Sequence, residues 1–242
     1  MRFTATITMI ASALLSVSVT AEPVKVIALD FVGLAPLVGA TMDWLETGAS
    51  YITDADGVVM LDAPVGASVT INFSGNDKYH QTQSSTVEVP AGGLTTLYNQ
   101  LVMQVPTHFL FDVFWTLSPG EHKNTSNCQV VVTVCDVNKT VYSHAQGLPG
   151  TVATLTPALE SQTFYFGTWG KLSNDTNPLP NNLTSTSFDG GVLFENLAPN
   201  PDQWYEVTAS HPGYSFSSTR FRCLKAGFVN AAPNQGPRAT PL

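Results

Sequence analysis

Charge is what this sequence has least of. Asp, Glu, Lys and Arg together make up 12% of its 242 residues, about half the share usual for a soluble domain. Basic residues are the scarcer sign, 10 Lys+Arg against 18 Asp+Glu with no run of them. That excludes the electrostatic footprint of a nucleic-acid binder. Ala, Glu, Lys, Leu and Arg are not present in the bulk that a coiled coil or helical bundle needs. Disorder is excluded from the other side, since 43% of the residues are hydrophobic and 10% aromatic. Past the N-terminus no apolar run approaches the ~20 residues of a membrane helix.

Catalytic motifs are missing too. The five histidines, His80, His108, His122, His144 and His211, share no ligand spacing. There is no His-x-x-x-His, no Gly-x-Ser-x-Gly and no glycine-rich phosphate loop ahead of a helix. Glu195 and Glu206 come nearest to an acid pair for glycoside hydrolysis, but they read as outward-facing strand residues. Asp54-Ala55-Asp56-Gly57 starts like a calcium loop. An apolar strand then follows, where further oxygen ligands and a closing Glu should stand, so the segment reads as a turn. No cofactor and no metal is expected.

The N-terminus has the grammar of an export signal. Met1-Arg2 is followed by an apolar stretch from Ile7 to Val19, then the small residues Val19-Thr20-Ala21. Residues 1–21 are expected to be a secretory signal peptide cleaved at Ala21/Glu22, which places the protein outside the cell. Five Asn-x-Ser/Thr sequons, Asn72, Asn124, Asn138, Asn174 and Asn182, are read as glycosylation sites on a surface poor in charge.

Cysteine is also sparse: Cys128, Cys135 and Cys223. An oxidising compartment predicts one disulfide and one leftover thiol. Read as a strand, the run from Cys128 to Cys135 spans about 23 Å and sets the two on opposite faces, too far apart to bridge each other. Cys223 therefore pairs with one of them. Cys128 is favoured, because antiparallel pairing brings the start of one apolar run beside the end of another. Cys135 is the alternative.

Short apolar runs separated by turn residues fill the rest. Val24–Phe31, Val38–Leu45, Ser50–Thr53, Val58–Asp62, Ser68–Phe73, Ser84–Val89 and Leu94–Val105 read as seven strands of a β-sandwich over residues 22–105. A second sandwich over 106–223 opens with an aromatic strand, Phe109–Leu117. It continues through Gln129–Val137, Gly150–Thr156, Thr163–Trp169, Val192–Leu197, Trp204–Ser210 and Tyr214–Cys223, with a long polar loop at 173–185. Residues 224–242, with Pro233, Pro237 and Pro241, read as an extended tail. The fold class is all-β, two tandem sandwiches.

The halves share a signature. Tyr51-Ile52-Thr53-Asp54-Ala55-Asp56-Gly57-Val58-Val59-Met60-Leu61 and Ser185-Thr186-Ser187-Phe188-Asp189-Gly190-Gly191-Val192-Leu193-Phe194 each set a polar strand, an Asp-Gly turn and an apolar strand in series, a hairpin signal. Together with His211-Pro212-Gly213-Tyr214, this resembles the carboxypeptidase-regulatory-like, or transthyretin-like, Ig-like β-sandwich repeat. The resemblance implies structural, adhesive or accessory modules of secreted and surface proteins.

The leading functional reading is a secreted, glycosylated, non-enzymatic structural protein that self-assembles head-to-tail into a fibre or surface layer. Its first strand and the apolar segment Leu224–Ala232 are expected to add to neighbouring protomers. The second reading is a carbohydrate-binding or adhesive module. It rests on Phe164-Tyr165-Phe166-Gly167-Thr168-Trp169, where alternation sets Tyr165 and Trp169 on one face as a candidate aromatic surface. The third is a secreted enzyme with an unrecognised site.

Overall fold

The structure, a computed structural model, describes residues 20–95, 99–117, 124, 126–143, 145–158, 163–168 and 180–242. Residues 1–19 of the expected signal peptide lie outside them. The first half carries β1 (Ala21–Asp30), β2 (Thr41–Trp44), β3 (Ala49–Ile52), β4 (Val58–Pro64), β5 (Ser68–Val69), β6 (Ile71–Phe73), β7 (Thr82–Ser84), β8 (Val87–Glu88) and β9 (Gln100–Val105). The helix α1 (His108–Leu117) follows. The second half carries β10 (Cys128–Thr133), β11 (Cys135–Asp136), β12 (Val152–Thr156), β13 (Thr163–Phe166), β14 (Pro180–Asn181), β15 (Gly191–Leu197), β16 (Tyr205–Ser210), β17 (Tyr214–Phe216), β18 (Thr219–Phe221), β19 (Gly227–Ala231) and β20 (Arg238–Pro241). The architecture is all-β, and α1 is the single helix among the described residues.

Strand alternation builds two cores. Val24, Val26 and Ala28 of β1 pack with Leu61, Ile71, Phe73, Leu101 and Met103 in the first. Val130 and Val132 of β10 pack with Tyr165, Phe194, Val207 and Phe221 in the second. Between the halves runs one nine-stranded sheet, in the order β14-β13-β15-β10-β19-β7-β6-β2-β3. Its centre is β19, parallel to β7 through Phe228↔Thr82 and Asn230↔Ser84, and parallel to β10 through Cys128↔Gly227 and Val132↔Ala231.

This overturns the expectation for the chain ends. Residues 224–242 are no tail: Phe228, Val229, Ala231, Ala232 and Ala239 are buried. Amide side chains of each half hold the backbone of the other. Gln81 Nε2 donates to the Ala226 carbonyl at 3.0 Å and Asn234 Nδ2 to the Gln100 carbonyl at 3.2 Å. Gln235 Nε2 donates to the Val102 carbonyl, while Ser85 Oγ donates to Gln235 Oε1 at 2.8 Å. The other end is equally internal, with β1 lying between β4, antiparallel, and β9, parallel. Among the described residues, neither β1 nor β19 lies at a sheet edge.

Two further expectations change. Phe109–Leu117 is helix, not strand. Thr107 caps it, its Oγ1 accepting from Leu110 N at 3.2 Å, and Leu110, Phe111 and Phe114 face the nine-stranded sheet. The Asp-Gly segments are turns without hairpins. Gly57 and Gly190 adopt φ of 71° and 72°, as the signal requires. However, β3 and β4 belong to different sheets, so the first turn crosses between layers. Asp54 Oδ1 closes it by accepting from Asp56 N and Val58 N, both at 2.9 Å.

Cys128 and Cys223 are joined, with S–S 2.03 Å and Cα–Cα 6.0 Å. The route differs from antiparallel pairing. Cys223 lies just ahead of β19, and the parallel register of β19 with β10 brings it beside Cys128. Cys135 is free and buried, with its thiol pushed up to about 12 by burial, so it is no partner-facing thiol. The disulfide lies within the second core; the Arg222–Glu46 ion pair at 2.7 Å does cross between the halves. The Arg222 guanidinium also lies over the Trp204 ring, 4.6 Å from its centroid.

Candidate functional site

A cavity of about 420 Å³ opens where the two halves meet under α1. One wall comes from the end of β1. Phe31 is held by its N–H donating to the Val105 carbonyl at 3.0 Å. Asp30 Oδ1 then accepts from Val32 N at 3.0 Å and Gly33 N at 2.7 Å, and Leu34 completes the turn at φ 53°. The second wall is aromatic. Phe114 of α1 stands edge-on to Phe31, with centroids 5.7 Å apart, and edge-on to Phe166 of β13 at 5.5 Å. Such pairs are the favoured geometry for rings with negative faces and positive edges. Phe166 fits because β15 begins with Gly191: a β-carbon there would sit 2.9 Å from the Phe166 ring.

The floor is Val131 and Thr133 of β10, with Gln104 of β9 beside them. Gln104 is buried, and its Nε2 donates to the Phe31 carbonyl at 3.4 Å. The third wall comes from Val141, Tyr142, Ser143, Ala145 and Gln146. Gln146 Nε2 donates to the Val141 carbonyl at 2.9 Å, and Tyr142 stands 60% exposed at the mouth. Sequence reading did not find this site, because its residues come from seven separated segments. The Pro106-Thr107 start signal of α1 was the clue that could have pointed to Phe114.

Next to α1 lies a histidine pair. His80 stacks on Phe111 at 3.6 Å and 11°, with His108 edge-on at 5.6 Å. His108 Nε2 contacts the Asn76 carbonyl at 2.7 Å. Burial, then the neighbouring His108, pushes His80 down to about 4, against the opposing pull of Asp112. No nucleophile stands beside the pair in these contacts, so it reads as a brace between α1 and the 76–80 loop. Among the described residues no group of three or more His, Cys, Asp or Glu could hold a metal ion.

The sequence-predicted sites scatter. Asn124, Asn138 and Asn182 are exposed on the second half. Asn72 is a correction: it is fully buried in β6, which leaves no room for a glycan in the folded protein. Asn174 lies outside the described residues. Tyr165 is also corrected, because it is buried in the second core with its hydroxyl accepting from Ala153 N at 3.1 Å. The alternation was read correctly, but Phe164 and Phe166 take the α1 side and Tyr165 the core. Its expected companion Trp169 lies outside the described residues. Glu195, expected to face outward, is 2% exposed beside Phe111 and Phe114.

No protein-family model matches the chain, and no curated protein does. It is similar to several solved structures at low identity. The Bacillus anthracis TIE protein is 12% identical with a TM-score of 0.28, over 91% of this chain and 34% of that one. The shaft pilin SpaA from Lactobacillus rhamnosus GG is 11% identical at 0.27, over 92% and 98%. A Streptococcal ancillary pilin is 12% identical at 0.26, over 92% and 63%. The chain thus spans about a third of the length of the first. Likeness at this level carries no argument about function, which rests on this chain's own residues.

Proposed function

We propose that this is an exported, glycosylated, non-enzymatic structural protein of an extracellular fibre or surface layer. The observation that carries the reading is the tying of two β-cores into one body. β19 runs in register with both halves, and the Cys128–Cys223 disulfide, inside the second core, anchors the chain just ahead of that strand. A cross-half ion pair adds to them. A cross-link of this kind persists where thiols are oxidised. The exposed sequons Asn124, Asn138 and Asn182 supply solvation that the sparse charge does not.

Self-association is assigned to an open sheet edge, since the chain ends are used internally. β3 is the last strand of the nine-stranded sheet. It reads Ala-Ser-Tyr-Ile without a charge, and Ile52 is 63% exposed. Natural edges are usually blunted by Lys or Pro, and this one is not. Electron microscopy of the secreted protein, before and after N-glycosidase, tests the reading. Filaments or sheets that Ile52→Lys disperses, with a mass loss on deglycosylation, are expected. A monomer without N-glycans from a eukaryotic secretory host overturns it.

A further inference from the structure

We propose that the cavity between the halves is a binding site for one uncharged, ring-bearing apolar small molecule. The cavity of about 420 Å³ falls in the size range of pockets that enclose most of a drug-sized ligand. Its walls decide the chemistry. Phe31, Phe114 and Phe166 present aromatic surface from three separate elements. Among its described lining residues there is no Lys or Arg, and the single carboxylate, Asp189, is already engaged within the protein, so an anion would enter without a counter-charge and would lose its hydration. The polar groups on the floor are few, the Gln104 amide and the Thr133 hydroxyl. Both residues are buried at 7% exposure, enough to orient a ligand by one or two hydrogen bonds.

A sugar fits poorly. Each of its hydroxyls would need a partner once buried, and the walls are mostly hydrocarbon. Exposed Tyr142 and Val32, 60% and 59% accessible, place apolar surface at the mouth, where an apolar ring would first touch. The site also draws on both halves, with Phe31 and Gln104 from the first and Val131, Thr133 and Phe166 from the second. Occupancy therefore stabilises the junction as well as the pocket, by mass action.

The probe is N-phenyl-1-naphthylamine, an uncharged two-ring fluorophore. Full-length secreted protein is expected to bind one molecule per chain, with a low-micromolar Kd and a raised melting temperature. Thr133→Phe fills the floor and should weaken binding at least tenfold. Val32→Asp puts a charge at the exposed mouth without touching either core, and should weaken binding severalfold while the melt stays cooperative. This second variant decides the matter should Thr133→Phe fail to fold. The proposal is overturned by absence of saturable one-to-one binding, by Val32→Asp binding as tightly as wild type, or by a neutral oligosaccharide displacing the probe. None of these outcomes bears on whether the protein forms fibres, so this inference and the structural role fail separately.

Discussion

A β-carbon on Gly236 would overlap the carbonyl oxygen of Thr133, and one on Gly190 would overlap that of Val134. These glycines let the C-terminal segment and the 186–190 turn lie directly on the β10–β11 backbone. Gly236→Ala forces that contact apart and should destabilise the fold by about 3 kcal/mol, read as a lower urea midpoint; an unchanged midpoint sinks the assignment. His80 makes a prediction about pH. Its folded value is about 4, below the ordinary histidine value of 6.5, so the unfolded state binds the extra proton between these values. Its contribution is fully present above pH 6.5 and is lost as pH falls toward 4. The loss should be on the order of 1–2 kcal/mol after discounting for a ring that is only partly enclosed. His80→Phe keeps the stack on Phe111 and should lose less stability than wild type between pH 7 and pH 5. If the two proteins lose the same amount, the titrating group lies elsewhere. The Asn72 sequon shows the limit of motif reading. The triplet is visible in sequence, but the full burial of its Asn is a tertiary fact, and glycopeptide mapping should find Asn138 and Asn182 modified and Asn72 bare.

Among the elements, α1 and β19 were the ones least legible. His-Phe-Leu-Phe-Asp-Val-Phe-Trp-Thr-Leu is rich in residues that favour strands, and its apolar positions follow no clean helical stripe, with Phe109 78% exposed. The Thr107 cap and the packing of Leu110, Phe111 and Phe114 on the sheet override that propensity. β19 was visible as a short apolar segment wanting a sheet. What sequence could not say was whose sheet, because parallel pairing over more than 140 residues leaves no local mark. Most other strands were readable from alternation, since one face of each fills a core. The cavity was not readable, because it exists only where β1, β9, α1, β10, β13, β15 and the residues around Tyr142 converge. Deleting residues 224–242 removes the centre strand of the nine-stranded sheet. The expected outcome is loss of secreted, protease-resistant protein, not a shift in oligomer size. A truncated chain that melts like the full-length one would show β19 to be dispensable.

At the scale of the whole molecule, two cores that look like tandem domains in sequence share one sheet. Independent sandwiches on a linker would unfold in two steps, each with its own midpoint. Here β19 contributes its backbone hydrogen bonds to β7 of one half and β10 of the other, and its side chains Val229 and Ala231 to the second core. Neither half can lose β19 without breaking pairing in the other. The disulfide fixes the chain four residues ahead of β19, closing a loop of 95 residues, so the strand stays tethered to β10 even when it detaches from β7. Scanning calorimetry should therefore show one transition, with calorimetric and van't Hoff enthalpies in agreement. Cys128→Ser with Cys223→Ser should lower its midpoint by an amount matching about 2–4 kcal/mol. Without the tether, β19 is held to β10 by its ladder and packing alone, and the double variant is where a second transition should first appear. Two resolved transitions in the intact, oxidised protein would show the halves to be thermodynamically separate, with β19 a docked strap and not their common centre.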